Sequence, residues 1–242
     1  MPDRRQHRGP HPEDSFFFSA SQMPMLTEAA NHFRWLIDRG YANNSSLKIV
    51  GDRFNLSQRQ RIAIERSSCS ESECSRRRCT EIKKEGLTGS SLCIDGYNVL
   101  TTVEAALGGG VILIGRDGCF RDLASMHGHY RKVAETIPAL TRIGEVLCSF
   151  QLKSCHWYLD SPVSNSARLK MVMQAVASQK GWVWHIELVK DPDRVLKSSD
   201  QIVATSDSAI LDRCGRWFNL ASVVVLESVP QACLINFNPD RT

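Results

Sequence analysis

The pattern of apolar positions changes character partway along the chain. Over residues 27–39, Ala30, Phe33, Leu36 and Ile37 recur at the three- and four-residue spacing of a buried helix face. Gly40 supplies the stop. A second short helix is expected over 45–50. Ser57 followed by Gln60 has the form of a capping box and predicts a third helix to about Arg66. Together these make a small helical unit, 23–66, behind a polar stretch, 1–22, read as a disordered leader. Residues 67–90 hold Ser, Glu, Arg and Gly with almost no large apolar groups, so they are read as a linker or helical extension containing the domain boundary.

From Ser91 onward, short apolar runs alternate with helix-like segments. The runs are 92–94, 111–114, 157–159, 182–186, 202–204 and 223–226, and the helical segments lie near 119–134, 138–152, 164–180 and 206–213. Alternation of this kind predicts an α/β domain, 91–242, with a largely parallel sheet. Strands covered on both faces read as continuous apolar runs, as these do.

Composition adds limits. The 242 residues are 42% hydrophobic and 23% charged, ordinary for a soluble globular chain. No apolar run approaches the roughly 18–20 residues that span a bilayer. The first residues lack a signal-peptide core, Phe16-Phe17-Phe18 being too short, so a cytoplasmic protein with no membrane partner is expected. Nine cysteines without a secretion signal are expected to be free thiols. Cys69, Cys74 and Cys79 form a C-x4-C-x4-C series, but zinc sites favour C-x2-C pairs and four ligands, so a solvated linker is expected there. The net charge is +4: residues 1–90 hold 15 Lys/Arg against 11 Asp/Glu, and residues 91–242 hold 15 of each. All the excess is N-terminal, and the face carrying Arg53, Arg59, Arg61 and Arg66 is either solvated surface or a nucleic-acid contact.

Three apolar runs lead into an acid: Asp95, Asp160 and Asp207. In an open α/β sheet, ligands bind beyond the carboxyl ends of the strands. Carboxylates converging there repel unless a cation neutralises them. Oxygen donors suit Mg2+ or Mn2+, and such an ion in an open cleft supports phosphate chemistry. Each Asp also has a plainer role as a helix cap.

Asp95-Gly96-Tyr97-Asn98-Val99-Leu100 resembles the opening strand of PIN-like nuclease domains of the NYN branch, and Ala204-Thr205-Ser206-Asp207 resembles their late strand. With Arg39-Gly40-Tyr41, Val50-Gly51-Asp52-Arg53, Asp117-Gly118, Arg121-Asp122 and the stretch from Leu159 to Ser166, the chain is similar to domain-of-unknown-function family 434 over about residues 25 to 215. The resemblance implies a PIN-like three-layer sandwich with a mostly parallel central sheet and a metal-dependent ribonuclease-type cleft. It assigns the metal to Asp95, Asp160 and Asp207, with Asn98 orienting Asp95 or a phosphate. The fourth acid of the pattern is open among Asp191, Asp193 and Asp200, with Asp193 favoured.

Other residues have two readings each. Arg121 is a phosphate clamp or a surface Arg, and Asp122 approaches the metal or caps a helix. His127 and His129, at spacing two, do not share a helix face, but one could contact substrate. Ser161, Ser164, Asn165 and Ser166 precede a helix and could bind phosphate with its free N–H groups, with Ser164 the expected N-cap. Ser206 joins the substrate-binding set. Gly108-Gly109-Gly110 lacks the Lys and Ser/Thr of a P-loop and reads as a turn. Trp182 and Trp184 read as core or sheet surface. The leading expectation is therefore a metal-dependent nuclease acting on RNA. The alternatives are a catalytically inactive PIN-like binding module and, last, a small-molecule phosphohydrolase, whose Asp-x-Asp the chain lacks.

Overall fold

The computed structural model describes residues 7–123 and 130–238. Five helices open the chain: α1 (Asp14–Phe17), α2 (Met23–Ile37), α3 (Asn43–Arg53), α4 (Gln58–Arg66) and α5 (Glu71–Thr80). Ser57 caps α4 as the sequence predicts: its hydroxyl accepts from the Gln60 N–H while the Gln60 side chain accepts from the Ser57 N–H. A second capping box, Ser70 with Glu73, starts α5 inside the stretch read as a linker or helical extension. That stretch is not solvated, because Cys74 and Arg77 of α5 are fully buried. Cys69 hydrogen-bonds Cys74 while Cys79 is exposed, so the three thiols do not share one site.

After a single 3-10 turn (Lys84–Leu87) come β1 (Ser91–Asp95), α6 (Gly96–Leu107), β2 (Val111–Ile114), β3 (Phe120–Asp122), α7 (Thr136–Cys148), β4 (Ser154–Asp160), α8 (Ser166–Lys180) and β5 (Trp184–Val189). The chain finishes with α9 (Pro192–Lys197), β6 (Ile202–Ala204), α10 (Ser208–Leu211), β7 (Trp217–Phe218), α11 (Leu220–Ser228) and β8 (Cys233–Asn236). Five strands form an all-parallel sheet in the order β5-β4-β1-β6-β7. The fold is thus mixed α/β with a parallel sheet. No helix among the described residues is long and apolar enough to cross a membrane.

Four expectations are corrected. The run 223–226 lies in α11 rather than a strand, since a short apolar run has no period that separates the two. The run 111–114 is a strand, but it sits in a second sheet, ordered β3-β2-β8. The segment near 119–134 opens as strand β3, and His127 and His129 fall outside the described residues. Residues 7–22 are packed rather than loose. Arg8 donates to buried Glu104 at 2.6 Å, and Asp14, itself buried, pairs with Arg59. The Arg59 face is thereby spent on structure, as is Arg61 on Asp52.

The small sheet explains why no core boundary falls at 67–90. Phe33 and Leu26 of α2 and Ile64 of α4 bury against Val111, Leu113, Ile235 and Phe237 of the β2–β8 side. Helical unit and small sheet therefore share one core. A polar link reinforces it. Asp117, in the β2–β3 turn, accepts from Arg121 at 2.9 and 2.7 Å and from Arg77 of α5 at 2.6 Å. Arg77 also reaches Asp212 beyond α10 at 2.8 Å. Burial pushes the Asp117 carboxyl up, but the Arg121 and Arg77 guanidiniums outweigh it and hold the group well below the carboxylate range. Removing the central anion strands the buried Arg121 and leaves Arg77 with Asp212 alone, so Asp117→Ala is expected to cost about 3–5 kcal/mol in urea unfolding. A loss within about 0.5 kcal/mol, the size of an ordinary surface substitution, would show the triad to be incidental.

Candidate active site at the carboxyl edge of the parallel sheet

From β1 the chain goes to β4 and β5 on one side, then returns to β6 and β7 on the other. An open parallel sheet has its crevice where that direction reverses, beyond the carboxyl ends. Asp95 ends β1, Asp160 ends β4, Asp191 and Asp193 follow β5, and Asp207 follows β6. Because the strands are parallel, all five acids lie at one edge.

The turn after Asp95 is set by crowding. A Cβ at Gly96 would lie 2.8 Å from the Tyr158 carbonyl and 2.6 Å from Leu159 Cδ2, so only glycine lets α6 leave β1 this close to β4. The Asp95 carboxylate accepts from the Thr205 hydroxyl at 2.8 Å and from the Asn98 N–H. Burial pushes this carboxyl up to about 7; the Thr205 hydrogen bond opposes the rise, and the negative charges of Asp207 and Asp193 add to it. Burial also raises Asp160, with Asp191 and Asp193 contributing. One oxygen of Asp160, Oδ1, is buried without a hydrogen-bond partner among the described residues.

The remaining acids have local duties. Asp207 caps α10, accepting from Ala209 N–H at 2.8 Å and Ile210 N–H at 3.2 Å. Asp191 caps α9, and Asp193 takes the Lys197 ammonium at 2.9 Å. Of Asp191, Asp193 and Asp200, Asp193 is the one whose charge acts on both Asp95 and Asp160. The donor set is all oxygen, which suits a hard divalent cation. Among the described residues, however, no three His, Cys, Asp or Glu side chains come close enough to hold an ion.

The other predicted residues divide. Asn98 does not turn its amide to Asp95: its Oδ1 accepts from the Ser206 N–H and hydroxyl at 2.8 and 2.9 Å, and only its backbone serves Asp95. Ser206 is correspondingly buried. Arg121 is no free clamp, since it is buried on Asp117 and donates through Nε to the Ser206 carbonyl at 2.8 Å. Asp122 is buried beside α6, accepting from Thr101 and Thr102. Ser161 and Ser164 are exposed at the start of α8. The N-cap is Asn165 rather than Ser164, in a left-handed conformation with φ 70° and no side-chain cap, its amide donating to the Tyr130 carbonyl at 2.9 Å. Trp182 and Trp184 stack at 5.1 Å against the main core.

Two cavities flank the acids. One of about 550 Å3 lies between helical unit and sheet edge, where Asn43 and Arg66 face Asn98, Ser206 and Asp207. Another of about 660 Å3 is lined by Asp191, Asp193, Arg194, Lys197, Ser198 and Arg213. Among the described residues, the guanidiniums of Arg66, Arg194 and Arg213 have no hydrogen-bond or ion-pair partner. Arg194, Lys197 and Arg213 escaped the sequence reading because single cations beside short helices carry no motif.

A family model described as Domain of unknown function (DUF5616) matches residues 84–223, and one described as Protein of unknown function (DUF434) matches residues 25–79. The similarity to family 434 thus covers the helical unit, and the acids from Asp95 onward fall in the other match. The uncharacterized protein MJ0935 of Methanocaldococcus jannaschii is 30% identical over 186 residues, covering 77% of this chain and 88% of the relative. No solved structure matches.

The raised Asp95 carboxyl has a pH signature. A folded value near 7 against an ordinary 3.8 means its proton is stabilising below about pH 4, and that stability is lost as pH rises toward 7. Asparagine cannot ionise. In EDTA, the Tm of Asp95→Asn relative to wild type should therefore climb from about pH 4 to about pH 8. A difference independent of pH would show that its surroundings do not raise the Asp95 carboxyl.

Proposed function

We propose, for a chain that belongs to the family described as Domain of unknown function (DUF5616), a metal-dependent nuclease that cleaves RNA in the cytoplasm, built on a PIN-like sheet. The observation that carries this reading is the gathering of Asp95, Asp160, Asp193 and Asp207 at one edge of a parallel sheet, close enough for Asp207 and Asp193 to raise Asp95. Like charges packed in this way are a cost without a counter-cation. Asp95 and Asp207 would hold Mg2+ or Mn2+ across the β1–β6 junction, with Asp193 and Asp160 beside them. When bound, the ion supplies charge neutralisation and water activation for an in-line phosphoryl displacement.

The chain's own groups have distinct tasks. Thr205 and the Asn98 N–H fix the Asp95 carboxylate. Asn98 pins the Ser206 turn, which carries Asp207. Arg66 on one side, with Arg194 and Arg213 on the other, bind backbone phosphates, with little preference for sequence. The cysteines form no disulfide among the described residues, which agrees with a reducing compartment.

A second reading has its own support. Lys197 sits on Asp193, Asp207 caps α10 and Asp95 accepts from Thr205, so three of the four acids already have partners. A nucleic-acid-binding module that keeps the fold without cleavage would look the same.

Incubation of the protein with end-labelled single-stranded RNA in Mn2+, Mg2+ or EDTA separates them. The nuclease reading expects cleavage in either metal, none in EDTA, and loss in Asp95→Asn and Asp207→Asn. RNA left intact by wild type in both metals, but retained in a gel shift, would establish the binding module instead.

A further inference from the structure

The helical unit carries an exposed row of rings and guanidiniums that the acidic edge does not use. Arg39 lies over the Trp35 ring, its guanidinium carbon 3.7 Å from the centroid. His32, one helical turn before Trp35 on α2, meets the Phe54 ring edge-on at 5.3 Å. Arg53 lies over the other end of the row, 5.7 Å from the Phe54 centroid. Tyr41 follows α2, its N–H donating to the Leu36 carbonyl. Trp35 is 54% exposed and Tyr41 57%, which leaves large ring area facing water.

Two features say what covers this surface. The first is charge. Of the carboxylates bordering the row, Asp38 is paired with Arg116, Asp52 with Arg61, and Glu28 lies 3.8 Å from His32, while Arg39 and Arg53 have no carboxylate partner among the described residues. The second is position. The C-terminal end of α2 is held against the start of α5 and the β2–β3 turn, because Asp38 binds Arg116 and the Glu71 N–H. Two residues past Tyr41, Asn43 lines the cavity that Asp207 and Asn98 share.

We propose that this row is a stacking platform for single-stranded nucleic acid, which delivers a strand along α2 to the carboxyl edge of the sheet. Bases stack on Trp35, Tyr41 and His32, and phosphates meet Arg39 and Arg53. Every base has a π-face, so the platform tolerates any sequence. It requires unstacked bases and therefore discriminates against a duplex. The inference rests on a nucleic-acid substrate, but it needs neither metal nor cleavage.

The test is fluorescence anisotropy in EDTA with a fluorescein-labelled oligouridylate of about 12 nucleotides, a length within the site sizes of such platforms. Trp35→Ala and Tyr41→Ala should each weaken binding about 5- to 100-fold, the range measured for base–aromatic stacking. Arg39→Ala and Arg53→Ala should each reduce the salt slope by about one. Val183→Ala, at an exposed residue before β5, should bind like wild type. All these side chains are exposed, so an unchanged Tm certifies each variant. Wild-type affinity in both Trp35→Ala and Tyr41→Ala overturns the platform, as does duplex RNA binding as tightly as the single strand. The RNA-cleavage assay isolates the two readings. Stacking variants that lose binding support the platform even if no RNA is cut, and metal-dependent cleavage beside silent stacking variants overturns the platform alone.

Discussion

Asp117 sits under the β2–β3 turn with a guanidinium on each side, Arg121 from β3 and Arg77 from α5. All three are buried, and a buried charge without a partner costs several kcal/mol. Loss of Asp117 strands Arg121, whereas Arg77 keeps Asp212 as a second partner. The triad therefore fixes α5, and with it the helical unit, against the turn of the small sheet. It adds little stability over a well-packed apolar contact, but it permits one arrangement only, since a shift of α5 breaks charge-assisted bonds that apolar contacts would simply remake. Gly115 and Gly118 allow the turn to close round it, Gly118 at φ +85°.

The same interaction reaches the acidic edge. Arg121 binds the Ser206 carbonyl, Ser206 binds the Asn98 amide, and the Asn98 N–H binds Asp95. An unbroken run of hydrogen bonds thus joins α5 to the buried Asp95 carboxylate. Sites that manage charge need their dipoles held before ligand arrives, and this run holds them. It also involves Asn98, read as orienting Asp95 or a phosphate, and Arg121, read as a phosphate clamp or a surface Arg. Arg121 and Asn98 act on the position of the Ser206 turn.

The sequence showed the parallel strands well, because 92–94, 157–159 and 202–204 are continuous apolar runs followed within three residues by an acid, and such runs persist when both faces are covered. It hid α6 and α11 for the same reason. Ten of the twelve residues of α6 are buried, so the helix shows no polar face to set a period. The small sheet was hidden because β3 spans three residues and β8 four, too short to alternate visibly. Within the site, the acids were legible from their places after strands, whereas their partners were not. Nothing in a linear pattern links Asp117 to Arg77, 40 residues apart, or shows that Asn165 rather than Ser164 would cap α8.

What the sheet edge lacks is positive charge from its own strands. Cations reach it from short helices and from the helical unit: Lys197 on α9, Arg213 after α10, Arg66 on α4. Lys197 already answers Asp193, and its charge also feels Asp207 and Asp191, so one flexible ammonium serves three carboxylates. An ammonium is a point charge on a mobile stem, able to yield to a stronger cation or turn to an incoming phosphate. The buried guanidiniums of Arg77 and Arg121 have no such freedom. Division of labour between fixed guanidiniums that hold the scaffold and free cations that face the cleft follows from burial alone. It puts the adaptable charge where a polyanion would arrive.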